Sequence, residues 1–161
     1  MVDQNCAYCV EGDLVAKFGI KICELETSKV YLFKEQSHPG RCIVAHKKHV
    51  GDMNELTAEE RAAYFEDVAR VARAIMAAFH PDKVNYGAYG DTGHHLHFHL
   101  CPKYKDEFEW AGIFWDPAMR GGIGDIAVRS VNLLMLYWEP GVADIQASPD
   151  FFSLSLEDTA R

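Results

Sequence analysis

Three histidines, His95, His97 and His99, occupy alternate positions in the segment His95-Leu96-His97-Phe98-His99-Leu100-Cys101. Alternation of this kind is how a half-buried strand reads, because successive side chains leave opposite faces and residues two apart stand about 7 Å from each other on one face. The three imidazoles then share a surface, with Leu96, Phe98 and Leu100 turned the other way. Imidazole is nucleophilic and titrates near neutrality, so one ring can attack phosphorus while neighbouring polar groups hold the phosphate oxygens. A single strand histidine is more often structural, but three in register reverse that balance.

Directly upstream, residues 87–93 read Gly-Ala-Tyr-Gly-Asp-Thr-Gly, a run that can aim backbone N–H groups at an anion. Near the N-terminus, Cys6 and Cys9 form a Cys-x-x-Cys pair. Two thiolates so spaced make half of a tetrahedral zinc shell, which then needs two more nitrogen or sulfur donors. The chain has 5 cysteines, an odd number that suits reduced thiols and a metal better than a disulfide framework.

The elements that must position these residues follow from hydrophobic patterning. Gly19 to Leu25 and Val30 to Phe33 are rich in β-branched and aromatic residues and flank the turn-like Glu26-Thr27-Ser28, which predicts a hairpin. Cys42 to Ala45 is a third apolar run, entered from Pro39-Gly40 and followed by His46-Lys47-Lys48-His49. Thr57 and Glu60 form a capping box ahead of Tyr64, Val68, Val71, Ile75 and Phe79, which recur at helical spacing, so a helix runs from about Thr57 to Phe79 and ends at His80-Pro81. Lys83 to Tyr89 begins a strand that breaks at the glycines, and His95 to Cys101 is the histidine strand. Several strands around one long helix predict an α+β fold with an antiparallel sheet. Ile126 to Trp138 fits either a strand or a buried helix, and Val142 to Arg161 reads as a tail.

The segment from His95 to Cys101 resembles the histidine triad (HIT) motif, in which histidines alternate with hydrophobic residues. The stretch Asn85-Tyr86-Gly87-Ala88-Tyr89-Gly90-Asp91 is similar to an Asn-x-Gly-Ala-Leu-Gly-Asn pattern of one bacterial branch. Cys101-Pro102-Lys103-Tyr104 resembles the Pro-Arg-Tyr that often follows, and Gly40 to Val50 resembles the family's Gly-His-x-Leu-Val-x-Pro-Lys-x-His-Val segment. These matches cover about residues 1 to 110 and are together far more specific than any one of them.

The resemblance implies a HIT-like fold in a single domain over 1–161, with its core in about 1–110 and an extension in 111–161. It implies that His97 is a nucleophile forming a covalent nucleotidyl intermediate, exposed beside an anion cradle, and that His99 contacts the phosphate and supports the leaving group. Asn85, Gly90, Asp91, Thr92 and Gly93 would hold phosphate oxygens, partly through main-chain N–H groups. Arg41 stands where many members carry a fourth histidine and keeps a cation for a phosphate contact. Asp91 stands where glutamine or asparagine is usual, and an ionised carboxylate pointed inward would repel phosphate. Zinc-bearing relatives, including the galactose-phosphate uridylyltransferases that the chain distantly resembles, complete their site with the histidine closing the Lys-x-His segment and the first triad histidine. Carried over, a structural Zn2+ would sit on Cys6, Cys9, His49 and His95, with His46 competing for the place of His49. A homodimer with a small nucleotide substrate is implied as well.

Composition bounds the partners. With 161 residues, 48% hydrophobic and 25% charged, the chain is sized for one ordinary globular core. A net charge of −8 leaves no cationic surplus for a polynucleotide backbone, whereas a few local donors suffice for one phosphate. No run approaches the roughly twenty apolar residues of a membrane span, so a cytoplasmic protein is expected. Three functions fit: hydrolysis or transfer at a nucleoside phosphate, nucleotidyl transfer to a sugar phosphate, and nucleotide binding with little turnover.

Overall fold

The computed structural model describes residues 3–90, 93–107 and 110–111. Two short helices, α1 (Ala7–Val10) and α2 (Asp13–Ala16), precede the strands β1 (Gly19–Glu24), β2 (Ser28–Phe33) and β3 (Cys42–His46). The long helix α3 (Ala58–Phe79) then leads to β4 (Lys83–Gly87) and β5 (His97–Lys103). The strands form one sheet in the order β1-β2-β3-β5-β4, with every neighbouring pair antiparallel. The fold is the α+β arrangement that the sequence predicts, and the chain reaches the β4 edge before β5 fills the gap beside β3.

Helix α3 starts and stops for the reasons visible in its sequence. The Thr57 side chain accepts the Glu60 N–H while the Glu60 carboxylate accepts the Thr57 N–H, so the capping box satisfies two orphan donors. His80 closes the helix in the left-handed region at φ 49°, and Pro81 follows. One face of the sheet meets this helix: Val30, Leu32, Cys42, Val44, Phe98 and Leu100 join Tyr64, Val68, Val71 and Ile75 in the larger core. Gly40 sits at φ 91°, and a Cβ there would stand 2.7 Å from the Phe79 ring, so no other residue fits this approach without strain.

The opposite face carries the histidines and is only partly covered. Tyr8 and Val15, from α1 and α2, pack on Tyr31, Ile43 and Ala45 to form a smaller core. These four-residue helices are too short to show periodicity and have no signature in the sequence pattern.

The histidine strand begins two residues later than predicted. His95 precedes β5, its N–H bonded to the Gly93 carbonyl at 2.7 Å in a tight turn. Leu96 bonds outward to Val50 and His46 without entering the regular ladder. The segments Ile126 to Trp138 and Val142 to Arg161 lie outside the described residues.

Candidate active site and metal centre

His97 and His99 leave β5 on one face, opposite Ala45 and Ile43 of β3, with ring centroids 5.1 Å apart. Nδ1 of His97 lies 2.7 Å from the His95 carbonyl oxygen. A carbonyl can only accept, so Nδ1 carries the proton and Nε2 keeps its lone pair. His99 is held differently: its Nδ1 faces the Arg41 guanidinium at 3.5 Å. Burial first, then Arg41 and His97, push the His99 pKa down to about 3, which keeps the ring neutral.

Both rings line a cavity of about 440 Å³ whose apolar wall includes Tyr8, Phe18, Phe33 and Ile43. The expectation of an openly exposed His97 is corrected here. The ring is 8% exposed because Tyr8 stacks on it with centroids 5.0 Å apart, and access runs through the cavity. A concave site of this size, mostly apolar with a few convergent polar groups, suits a small organic ligand.

Four side chains converge beside the same cavity, and three of them, Cys6, His49 and His95, line it. The donor atoms of Cys6, Cys9, His49 and His95 all lie within 4.8 Å of one another. Cys6 Sγ is 3.3 Å and Cys9 Sγ 3.7 Å from His95 Nδ1, and His49 Nδ1 is 3.3 Å from both Cys9 Sγ and His95 Nδ1. A tetrahedral zinc shell with ordinary Zn–N and Zn–S bonds separates its donors by roughly 3.3 to 3.8 Å, so the set fits that ion. His95 is oriented for ligation, because Nε2 donates to the His46 carbonyl at 2.7 Å and leaves Nδ1 for the metal. Burial pushes its pKa down to about 4, so the imidazole is neutral as a ligand must be.

The structure also separates His49 from its competitor. The His46 ring accepts the Lys48 N–H at 3.0 Å and meets the Tyr64 ring edge-on, while only its backbone carbonyl reaches the metal cluster. His49 alone of the two joins the four-residue group.

The other residues singled out in the sequence are more scattered. Gly93 lines the cavity, whereas Gly90 is exposed. Asn85 lies half-buried on β4, paired with Cys101 and on the face of His99, but outside the described lining. Asp91 and Thr92 lie outside the described residues. Arg41 is 3% exposed, bonded to Glu35 at 2.9 Å and stacked over Phe33. Sequence reasoning missed Tyr8 and Glu35. Tyr8 was within reach, because once Cys6 and Cys9 gather beside His95, the two residues between them, Ala7 and Tyr8, must lie close to the histidine face.

The geometry agrees with known proteins. A family model described as the HIT domain matches residues 19–106, and "Protein hit" of Bacillus subtilis is 31% identical over 108 residues, covering 63% of this chain and 72% of that protein. A histidine triad protein from Bradyrhizobium japonicum shares the fold with TM-score 0.71 and 20% identity, over 80% of this chain and 96% of that one. A zinc-bound histidine triad family protein from Mycobacterium smegmatis does so with TM-score 0.60 and 23% identity, over 83% and 93%. The matched segment takes in every described strand, the long helix and the paired histidines of β5, and so the chain belongs to the HIT domain family.

Proposed function

We propose that this chain is a nucleotide hydrolase or nucleotidyl transferase that works through a covalent intermediate on His97. The observation that carries the reading is the His97 ring at the cavity wall, with Nδ1 tied to the His95 carbonyl and Nε2 left as a lone pair. In this mechanism Nε2 attacks the α-phosphorus of a nucleoside phosphate, and the bond to the leaving group breaks as the P–N bond forms. Water or another acceptor then displaces His97 from phosphorus and returns its lone pair. Neutral His99 gives a hydrogen bond to the phosphoryl group, and Gly90, Asp91, Thr92 and Gly93 supply backbone donors around it. The apolar wall of the cavity receives the nucleoside portion.

Cys6, Cys9, His49 and His95 hold a structural zinc ion in this reading. A shell closed by four protein donors supplies no activated water; it fixes α1, and with it Tyr8, over the catalytic histidines. The protein acts as a cytoplasmic homodimer on a small nucleotide. Dinucleoside polyphosphates and nucleoside phosphoramidates are the substrates to try. Product should form with the wild-type chain, together with an acid-labile nucleotidyl adduct that is missing from His97→Ala. Undiminished turnover in that variant rules the mechanism out. Elemental analysis should find one zinc per chain, and a zinc content unchanged in Cys9→Ser would remove the metal centre from the account.

The second reading is nucleotidyl transfer to a sugar phosphate, which the convergence of Cys6, Cys9, His49 and His95 supports. Ping-pong exchange with two substrates would select it.

A further inference from the structure

Arg41 is arranged in a way that phosphate binding does not require. Its guanidinium carbon lies 4.4 Å from the centre of the Phe33 ring, Nη1 donates to Glu35 Oε2 at 2.9 Å, and Nη2 turns to Nδ1 of His99 at 3.5 Å. The side chain is 3% exposed and is not part of the described cavity lining. Phe33 also meets the His99 ring edge-on at 5.4 Å, so the same aromatic ring supports both partners.

The chemistry of the pair sets the tautomer. A guanidinium carries five N–H donors, has no acceptor and does not lose its proton in proteins. A neutral imidazole can face it comfortably only with a lone pair, since an N–H there would oppose donor to donor. The proton of His99 then resides on Nε2. His97 has the reverse arrangement, with its proton on Nδ1 because a carbonyl oxygen faces that atom. Two rings two residues apart are thus given opposite tautomers, one by the backbone and one by a side chain.

We propose that Glu35 and Arg41 are positioning residues that lock His99 in its Nε2–H tautomer, so that a hydrogen-bond donor stands beside the lone pair of His97. Glu35 anchors the guanidinium, and Arg41 selects the ring nitrogen that keeps the lone pair. The use of this device rests on the His97 mechanism proposed above; the tautomer itself does not.

Nitrogen-15 spectra of the histidine rings in the full chain near neutral pH test the proposal directly. In the wild type, His99 should show an unprotonated Nδ1 and a protonated Nε2. Arg41→Met should give a mixture of tautomers, while Arg41→Lys, which retains a cationic donor, should restore much of the wild-type pattern. If Arg41→Met does not fold, Glu35→Gln serves in its place, with a partial shift toward the mixture expected. A protonated Nδ1 on His99 in the wild type, or a pattern unmoved in the variant examined, overturns the proposal. On a nucleoside phosphate that the wild type turns over, Arg41→Met should lower kcat about tenfold or more with KM little changed. A raised KM at intact kcat would make Arg41 a phosphate ligand instead and refute the positioning role. Absence of turnover on every nucleoside phosphate would count against the His97 mechanism, and the ring spectra would still decide the tautomer.

Discussion

The two faces of the sheet are built on different principles. The face beneath α3 is closed by apolar side chains at helical and strand spacing, and the buried carboxylate of Asp67 accepts hydrogen bonds from the Thr27 N–H, the Thr27 hydroxyl and the Ser28 hydroxyl at 2.8 to 2.9 Å. The histidine face has two four-residue helices for a cover, a cavity, and imidazoles each held through one ring nitrogen by a particular partner. Stability is concentrated on the first face and chemistry on the second, so substitutions on the two faces should separate into different measurements.

The largest effect belongs to the histidine face. His97→Ala should cut turnover of a nucleotide substrate by about four orders of magnitude or more, as loss of a nucleophile does elsewhere, with the thermal unfolding midpoint nearly unchanged. A midpoint that fell as steeply as the rate would erase the distinction between the faces. On the helix face, Ile75→Ala should cost about 2–5 kcal/mol in denaturant unfolding while the rate per folded molecule stays the same. Asp67→Ala should cost less, about 1–3 kcal/mol, because it strands the donors of the β1–β2 turn without opening a large void. An unchanged denaturation midpoint for Asp67→Ala would show that water replaces the carboxylate freely.

The acid response sharpens the contrast further. His99 is held near pKa 3 in the folded protein, against about 6.5 in an unfolded chain. Between these values the unfolded chain takes up a proton that the folded one refuses, so stability should fall as pH drops from about 6.5 toward 3 and be level above that window. His95, pushed to about 4 by burial, acts in the same direction. Denaturant midpoints between pH 7 and 4 should fall less steeply in His99→Gln, and an identical slope would assign the acid sensitivity to other groups. The smallest effect is at Phe65, 47% exposed on α3, where Phe65→Ser should move stability by only about 0.5 kcal/mol.

What could be read from the sequence divides along similar lines. Helix α3 was legible because its capping box and its apolar spacing are local and agree with each other. The first three strands were legible because their β-branched runs are bounded by turn residues. The spacing of Cys6 and Cys9 pointed to half of a metal site and no further, and the resemblance supplied His49 and His95, which the structure brings to the same point. Three things were not legible. The turn at His95 looked like strand, since alternation of polarity does not distinguish a ladder from the extended chain that leads into it. The Glu35–Arg41–His99 chain joins residues up to 64 positions apart, and no local pattern marks such a link. Asp67 meets its partners in the β1–β2 turn 40 positions away, and no local pattern on the helix marks it as buried.

The strand order has one more consequence, for synthesis. While the ribosome has released only the first 90 or so residues, β1, β2, β3 and α3 can already assemble from neighbours in sequence, but the partner of β3 is still missing. The Cys42-Ile43-Val44-Ala45 stretch then offers an open, apolar ladder edge of the kind that recruits other chains. The segment that seals this edge is β5, so the nascent domain loses its adhesive border at the moment His97 and His99 arrive.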